Sequence, residues 1–228
     1  MKRMMQPNPR IYRCLPTTIF KIEKGFTDPV WGKAQTLHLY QAWVSEKKRK
    51  KTASGTAKII WNPDVIYIRA YLEDRHIFNL ATSHNGKTWL TGDVFEIFVS
   101  PGEPSPYYYE FHVTPNNITL NLKISYGHPP VTDELFHRYS NFNSGLQSAV
   151  RVLKNNSGKD KVWEIVAAIP VKCFSGVSKI KSGWRWSFSL CRYDYNGGLE
   201  RFDLSSTSPY TRPNYHRLNE FNRIEFVK

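Results

Sequence analysis

Apolar and polar residues alternate with a period of two along most of this chain, as they do in strands that turn one face toward a core. The stretch 65–72 places four apolar side chains on one face: Ile66, Ile68, Ala70 and Leu72. The sequence Asn-Pro-Asp at 62–64 is a turn signal and joins this stretch to the apolar run 57–61. Together they predict a β-hairpin.

The same pattern recurs along the chain and predicts further strands, at 94–99, 107–114, 118–125, 146–153, 162–169, 184–193 and 224–227. The polar, proline-bearing stretch between Gly127 and Gly145 predicts a long loop, and residues 170–175 predict one helical turn. About nine strands joined by short turns predict two antiparallel sheets packed face to face, an all-β sandwich. With no linker between two cores, residues 1–228 predict a single domain, of which about 1–15 form an N-terminal extension.

Hydrophobic residues make up 40% of the chain and aromatic residues 14%, enough to fill a sizeable core. Four tryptophans lie inside strand patterns and are interpreted as core residues: Trp61, Trp163, Trp184 and Trp186. The three cysteines, Cys14, Cys173 and Cys191, lack metal-site spacing and cannot all pair within the chain.

The formal net charge is +13, which favours attraction to polyanions. Part of it comes from the run Lys47–Lys51, which we interpret as a solvated basic loop. No aromatic residue interrupts this run, so we do not expect nucleic acid to be the partner. Nothing resembles a signal peptide or a membrane span, which leaves the compartment open. The protein is cytoplasmic, or extracellular or periplasmic if a leader has been removed.

Several enzyme classes are excluded by missing motifs, since there is no glycine-rich phosphate loop, no G-x-S-x-G, no H-E-x-x-H and no C-x-x-C. A pair of carboxylates remains, because Glu96 and Glu110 lie on consecutive predicted strands. Such a pair can be the acid and base of a glycoside hydrolase. It can equally accept hydrogen bonds from sugar hydroxyls, and spacing along the chain leaves both readings open.

A sugar site needs an exposed aromatic ring for the C–H face of a pyranose and polar side chains for its hydroxyls. The chain offers this combination twice. The first group is Trp89 with Glu96, Glu110 and His112. The second lies in the segment TRPNYHRLNEF at 211–221, where four polar residues cluster around Tyr215: Arg212, Asn214, His216 and Arg217.

Seven segments in order resemble the family 9 carbohydrate-binding modules and their relatives, the carbohydrate-binding family 9-like domains. They run from about Asp28 to the C-terminus: DPVWGKA, AKIIWNPDVIYIRAYLED, WLTGDVFEIFVSP, YYYEFHVTP, VWEIVAAIP, GWRWSFSLCRYD and RPNYHRLNEFNRIEFV. The resemblance implies a sandwich of jelly-roll or immunoglobulin-like architecture without catalytic activity. It also implies that a saccharide is held between two aromatic side chains, often at the reducing end of a chain.

Carried over by position, the resemblance names seven ligand-binding residues: Trp89, Glu96, Glu110, His112, Arg212, Tyr215 and His216. Trp89 and Tyr215 would be the two aromatic walls. Tyr215 stands where the well-studied members have tryptophan and offers less stacking area. The spacing from Trp89 to Glu96 is one residue longer than in those members.

The resemblance implies no catalytic cofactor, although members of the family can bind structural calcium. Asp74 and Asp93 are at suitable loop ends for such an ion. The expected partner is a mono- or oligosaccharide, and the positive charge extends this to an acidic glycan such as a uronate-bearing chain. Two alternatives remain, a glycoside hydrolase using Glu96 and Glu110 and a β-sandwich that binds polyanions through its basic surface.

Overall fold

A computed structural model describes residues 9–18, 20–45, 54–102, 105–127, 132–154, 157 and 160–228 of the chain. The basic run Lys47–Lys51 lies outside these described residues. No helix in the described part of the chain is long and apolar enough to cross a membrane.

The described structure is built mainly from strands, which confirms the all-β prediction. The strands are β1 Ile11–Pro16, β2 Leu37–Leu39, β3 Gly55–Asn62, β4 Val65–Glu73, β5 Val94–Ser100, β6 Tyr107–Val113, β7 Thr119–Ser125, β8 Gln147–Lys154, β9 Asp160–Pro170, β10 Arg185–Tyr195, β11 Phe202–Ser206 and β12 Asn222–Phe226. One α-helix, α1, spans Asp133–Ser140. The hairpin β3–β4 and the helical turn Val171–Cys173 are where the pattern predicts them.

Two sheets form the sandwich. The first has the strand order β7-β6-β5-β10-β12-β1, with β11 on the far end of β10. The second has the order β1-β3-β4-β9-β8, with β2 beside β3. Most pairs are antiparallel, and a cluster of apolar side chains from both sheets fills the space between them.

Strand β1 belongs to both sheets and joins them into one curled surface. Its first part pairs in parallel with β12, and its last two residues pair in parallel with β3. The expectation of purely antiparallel sheets is therefore wrong at β1. Parallel pairing fits the connectivity, because β1 and β12 come from opposite ends of the chain and are not joined by a hairpin.

The expected N-terminal extension does not include residues 11–15, because they form most of β1. Tyr12 and Cys14 point into the core and are buried, while Ile11 and Arg13 on the other face are exposed. Three of the four core tryptophans are buried as predicted, but Trp184 is 38% exposed. It precedes β10, so the strand's alternation does not reach it.

The outer faces of both sheets are also covered. Outside the second sheet, a cluster around Trp31 packs residues from 20–34 against β3, β4 and β9. Outside the first sheet, α1 and the segment 207–221 cover a second apolar cluster. The long loop predicted between Gly127 and Gly145 is thus wrong in part, since it contains α1.

Helix α1 forms because local and tertiary signals agree. The side chain of Thr132 caps its start by accepting a hydrogen bond from the backbone N–H of Leu135 at 3.3 Å. Phe136 and Tyr139 are three residues apart, so they lie on one face and pack onto the outer cluster beside β7. The fold thereby builds a wall over the outer face of the first sheet.

Candidate functional site

Strand register gathers the acidic candidates on the outer face of the first sheet. Glu96 in β5 lies opposite Cys191 of β10 on one side and His112 of β6 on the other. Two residues further along, Phe98 lies opposite Glu110. Because directly paired residues share a face, these side chains all point away from the sandwich core. This explains why a strand buried on both faces carries a carboxylate in its middle.

A cavity of about 340 Å³ lies over this face. The strands provide its floor: Glu96, Glu110, Leu122, Ile124, Tyr193 and Leu204. The surrounding segments provide its walls: Trp89, Phe136, Tyr139, Pro213, Asn214, Tyr215 and His216. The result is an apolar and aromatic pocket with two carboxylates at its base, an arrangement typical of small-ligand sites.

Trp89 is half-buried and lines one side of the cavity. It lies in the short turn Thr88–Leu90, which the hydroxyl of Tyr195 fixes by donating to the Trp89 carbonyl oxygen at 2.6 Å. The indole meets the rings of Phe136 and His112 in edge contacts, with centroids 5.7 and 5.8 Å away. Its position is therefore set by three different elements.

His112 lies beneath the cavity, fully buried, and organises the two carboxylates. Its Nδ1 is 2.8 Å from the hydroxyl of Thr88, and its Nε2 is 2.6 Å from Oε1 of Glu110. An ionised carboxylate only accepts hydrogen bonds, so the network assigns the ring proton to Nε2. His112 then orients Glu110 without reaching the surface of the pocket.

Glu96 is only 3% exposed and has little polar support. Within the described part of the chain, its carboxylate makes one ion-pair contact, with Nε2 of His112 at 3.4 Å, and no hydrogen bond. Burial raises the pKa of Glu96 well above its usual value, and the charge of Glu110 raises it further. A ligand that donates a hydrogen bond to Glu96 would relieve this cost.

Tyr215 lines the opposite wall but is only 4% exposed. Its hydroxyl lies 2.8 and 2.9 Å from the carbonyl oxygens of Arg192 and Ser205, and its ring packs against Tyr210 and Phe98. Trp89 and Tyr215 therefore border the same cavity, with Trp89 the more accessible of the two rings.

The remaining two candidates lie on the same segment as Tyr215. His216 is at the rim, where its Nδ1 is 2.9 Å from the hydroxyl of Tyr108 and 4.0 Å from Oε2 of Glu110. Arg212 is exposed and does not line the cavity. Six of the seven predicted residues thus lie in or directly beneath the pocket.

Glu220 fixes the segment that carries this wall. Its Oε2 accepts a hydrogen bond from the backbone N–H of Thr211 at 2.8 Å. Its Oε1 accepts from the Thr211 hydroxyl at 2.8 Å and from the guanidinium of Arg217 at 2.6 Å. One buried carboxylate therefore closes the loop from 211 to 217 around Tyr215.

Sequence reasoning missed several lining residues. Tyr193 continues the alternation of Arg185, Ser187 and Ser189 in β10, so extending that pattern by four residues would have found it. Phe136 and Tyr139 could not be found in this way, because the segment that contains them is helical. Leu204 carries no sequence signal that separates it from other strand residues.

A second acidic cluster lies away from the pocket and bears on the expected calcium. Asp74, Asp93 and Asp194 are buried, with carboxylate oxygens within 4.8 Å of one another. The guanidinium of Arg192 lies among them, 2.7 Å from Asp74 and 3.3 Å from Asp194. Both oxygens of Asp93 accept backbone N–H groups, from Phe78 and Tyr195.

These residues do not fit a calcium ion, which takes six to eight oxygen ligands in direct contact. Arg192 already supplies a positive charge at this position, and the oxygens of Asp74 and Asp93 are engaged in hydrogen bonds. Burial raises the pKa of Asp93 to about 8, with the charge of Asp74 adding to the effect. Asp74 and Asp93, the positions expected for calcium, belong to an ion-pair cluster within the protein.

Comparison with solved structures identifies the same fold in three of them. A protein of Bacteroides uniformis ATCC 8492 described as a "putative carbohydrate-binding protein" superposes with a TM-score of 0.71 at 18% identity, covering 96% of this chain and 100% of that one. A family 9 module of Caldicellulosiruptor kristjanssonii in complex with cellotriose gives 0.65 at 12% identity, covering 96% and 94%. The glucose complex of a family 9 module from that organism gives 0.63 at 13% identity, covering 95% of each chain.

No protein of curated function matches the chain. The profile described as "Carbohydrate family 9 binding domain-like" matches residues 23–228, which confirms the resemblance seen in the sequence motifs. That family comprises non-catalytic modules, so the glycoside hydrolase alternative has no support from it. The chain belongs to the carbohydrate family 9 binding domain-like family, whose members bind carbohydrates.

Proposed function

We propose that the pocket over β5, β6 and β10 binds a single sugar or the end of a saccharide chain, in the service of polysaccharide recognition. The observation that carries this proposal is the accessible indole of Trp89 beside two buried carboxylates, in a cavity of about 340 Å³. A volume at the lower end of the small-ligand range favours one sugar residue over a long stretch of chain.

Each part of the pocket matches a part of a pyranose. The C–H face of the ring packs on Trp89, and the apolar floor residues Leu122 and Leu204 exclude water beside it. Glu96 and Glu110 accept hydrogen bonds from hydroxyls, which are stronger when the acceptor is ionised. The raised pKa of Tyr193, caused first by burial and then by the two glutamates, keeps its hydroxyl a donor.

The face of the sugar ring that points away from Trp89 contacts Tyr215 and Tyr193, and His216 and Asn214 lie at the rim of the cavity. Arg212 can contact only a part of the ligand that extends beyond the cavity. The family 9 modules solved with cellotriose and with glucose make glucose and short glucans the first sugars to test.

The lining of the pocket favours a ligand that is not acidic. The residues that line it include two glutamates and neither lysine nor arginine. A uronate carboxylate placed at the base would add a third negative charge in a buried environment, where like charges repel strongly. The acidic glycan suggested by the net charge is therefore not part of this proposal.

Isothermal titration with glucose, cellobiose and xylobiose tests the proposal, using the wild-type protein and Trp89→Ala. We expect Trp89→Ala to weaken binding at least about tenfold, since stacked aromatic contacts contribute roughly 1–3 kcal/mol in comparable ring systems. Trp184→Ala is the matched control, because Trp184 is an exposed tryptophan outside this cavity. Equal losses in both variants, or no binding of any saccharide, would refute the proposal.

A further inference from the structure

Among the described residues, no lysine or arginine lines the pocket beside its two carboxylates. Glu96 and Glu110 contribute two carboxylates, and among the lining residues only His216, at the rim, could carry a positive charge. His216 is 4.0 Å from Glu110 Oε2, which is longer than a hydrogen bond. His112 lies beneath, with its Nε2 2.6 Å from Oε1 of Glu110 and 3.4 Å from Oε1 of Glu96.

Glu96 is the residue for which this lack of a lysine or arginine matters most. It is more than nine-tenths buried, lines the cavity, and has no hydrogen bond to its carboxylate within the described residues. A buried carboxylate without a donor or a cation is expensive. Structures retain such a group chiefly where a ligand provides the missing partner.

We propose that the pocket recognises a saccharide carrying a protonated amino group, that is, a hexosamine with a free amine such as glucosamine or a chitosan fragment. This inference rests on the proposed function of the same site. An ammonium offers three N–H donors and a full positive charge. One carboxylate oxygen of Glu96, one of Glu110 and one ring nitrogen of His112 lie within 4.8 Å of one another. The two carboxylates are therefore close enough for one ammonium to donate to both.

A free amine fits this base better than a hydroxyl or an acetamido group. A hydroxyl donates one hydrogen bond and brings no positive charge to Glu96. An acetamido group replaces the cation with a neutral amide and a methyl group, and its carbonyl oxygen would repel the carboxylates. The aromatic walls remain suited to the C–H faces of the sugar in every case.

A divalent metal ion is the competing occupant, because two carboxylates and an imidazole can be metal ligands. The rest of the lining argues against it. Beyond the two glutamates, six of the lining side chains are hydrocarbon or indole: Trp89, Leu122, Ile124, Phe136, Leu204 and Pro213. A protonated amino sugar uses these apolar walls, whereas a metal ion would leave them without a function.

Isothermal titration at about pH 6, where an alkyl amine is protonated, compares glucosamine, glucose and N-acetylglucosamine on the full chain. We expect glucosamine to bind about tenfold more tightly than the two neutral sugars, because a charge-assisted hydrogen bond is stronger than one between neutral groups. Glu96→Gln should reduce that preference to about twofold or less. Glu23→Gln, at an exposed glutamate outside the cavity, should leave it unchanged.

The outcomes separate this inference from the proposed function. If glucose binds as tightly as glucosamine and Trp89→Ala abolishes both, the saccharide site stands and the amine preference is refuted. If no sugar binds, both fail. A titration with ZnCl₂ after EDTA treatment tests whether the site binds a divalent metal ion. Glu96-dependent zinc binding without an amine preference would overturn the inference in favour of a metal.

Discussion

At the scale of single residues, Glu96 illustrates a conflict between ligand binding and stability. It lies in the middle of a strand whose neighbours are fully buried, and its carboxylate lacks a hydrogen-bond donor in the described structure. The folded state therefore resists its ionisation, while the unfolded chain ionises it freely in water. Residues that oppose folding in this way are concentrated at functional sites.

The first prediction concerns Glu96→Gln, which keeps the shape of the side chain and removes the charge. We expect the free energy of unfolding to rise by about 1 kcal/mol at pH 8, within the range of stabilising substitutions. The gain should be smaller at pH 5. Burial, and then the charge of Glu110, raises the pKa of Glu96 in the folded state above its value in the unfolded chain. The stability that protonated Glu96 contributes is therefore present near pH 4 and is lost as the pH rises toward the folded-state pKa.

Urea unfolding at both pH values measures this, and Glu23→Gln controls for the loss of one negative charge from a strongly basic protein. A gain that is equal at pH 5 and pH 8 would contradict the assigned cause. A loss of stability would mean that the ionised carboxylate has a partner that outweighs its burial.

Residue-level prediction from the sequence worked where strand alternation determines the face. Glu96, Glu110 and His112 come together because three adjacent strands hold them in register. It worked less well on the 211–221 segment, where no periodicity indicates which side chains turn inward. There Tyr215 is buried and Arg212 is exposed, a difference that depends on tertiary packing.

At the scale of elements, the pocket depends on how the segment 207–221 is held against the sheet. Glu220 bonds to Thr211 and to Arg217 and so closes the loop between them. It does not line the cavity and so acts through the position of Tyr215 and His216. It is therefore a positioning residue.

The second prediction is that Glu220→Gln weakens saccharide binding about threefold to tenfold. The amide retains one acceptor oxygen, so it loses part of the charge-assisted bonding to Arg217 and Thr211, which is worth roughly 1–3 kcal/mol. Amide hydrogen exchange should become faster at residues 211–217 and remain unchanged in β5 and β6. Weaker binding without faster exchange would contradict the positioning role. Glu225→Gln is the control, because Glu225 pairs with Arg185 and does not line this cavity.

Elements with strong periodicity were predictable, and short elements were not. The hairpin β3–β4 and the long strands β9 and β10 follow from the sequence, because each has several alternating residues. Strands β2 and β11, of three and five residues, and the eight-residue helix α1 form on surfaces supplied by the rest of the fold. An isolated helix of that length is unstable in water, so its formation is a tertiary effect.

At the scale of the whole molecule, Arg192 connects the two sheets. It extends from β10 of the first sheet to the end of β4 in the second, where it donates to the carbonyl oxygen of Glu73 and to Asp74, both at 2.7 Å. It is almost completely buried, so its charge is available only to the aspartates around it. The guanidinium of Arg192 thus holds the two sheets together at this end of the sandwich.

The third prediction follows from this connection. Arg192→Met should destabilise the protein by about 3–5 kcal/mol, because it leaves carboxylates buried without their cation. Arg185→Met, at the exposed start of the same strand, should cost about 1 kcal/mol or less. Thermal unfolding of both variants measures the difference. EDTA should not shift the wild-type melting temperature. A clear shift would mean that a bound metal ion, and not only Arg192, stabilises the cluster of aspartates.

Net charge and binding chemistry are separated in space on this molecule, and that separation gives the last prediction. The chain carries a net charge of +13, yet the pocket is lined by carboxylates and apolar groups. Glucose should therefore bind with a dissociation constant that changes less than about twofold between roughly 50 and 500 mM NaCl, because stacking and buried hydrogen bonds release few counterions. Dextran sulfate, attracted by the basic surface, should lose most of its affinity over the same range. Parallel salt dependence for both ligands would place sugar binding on the basic surface and would contradict the pocket described here.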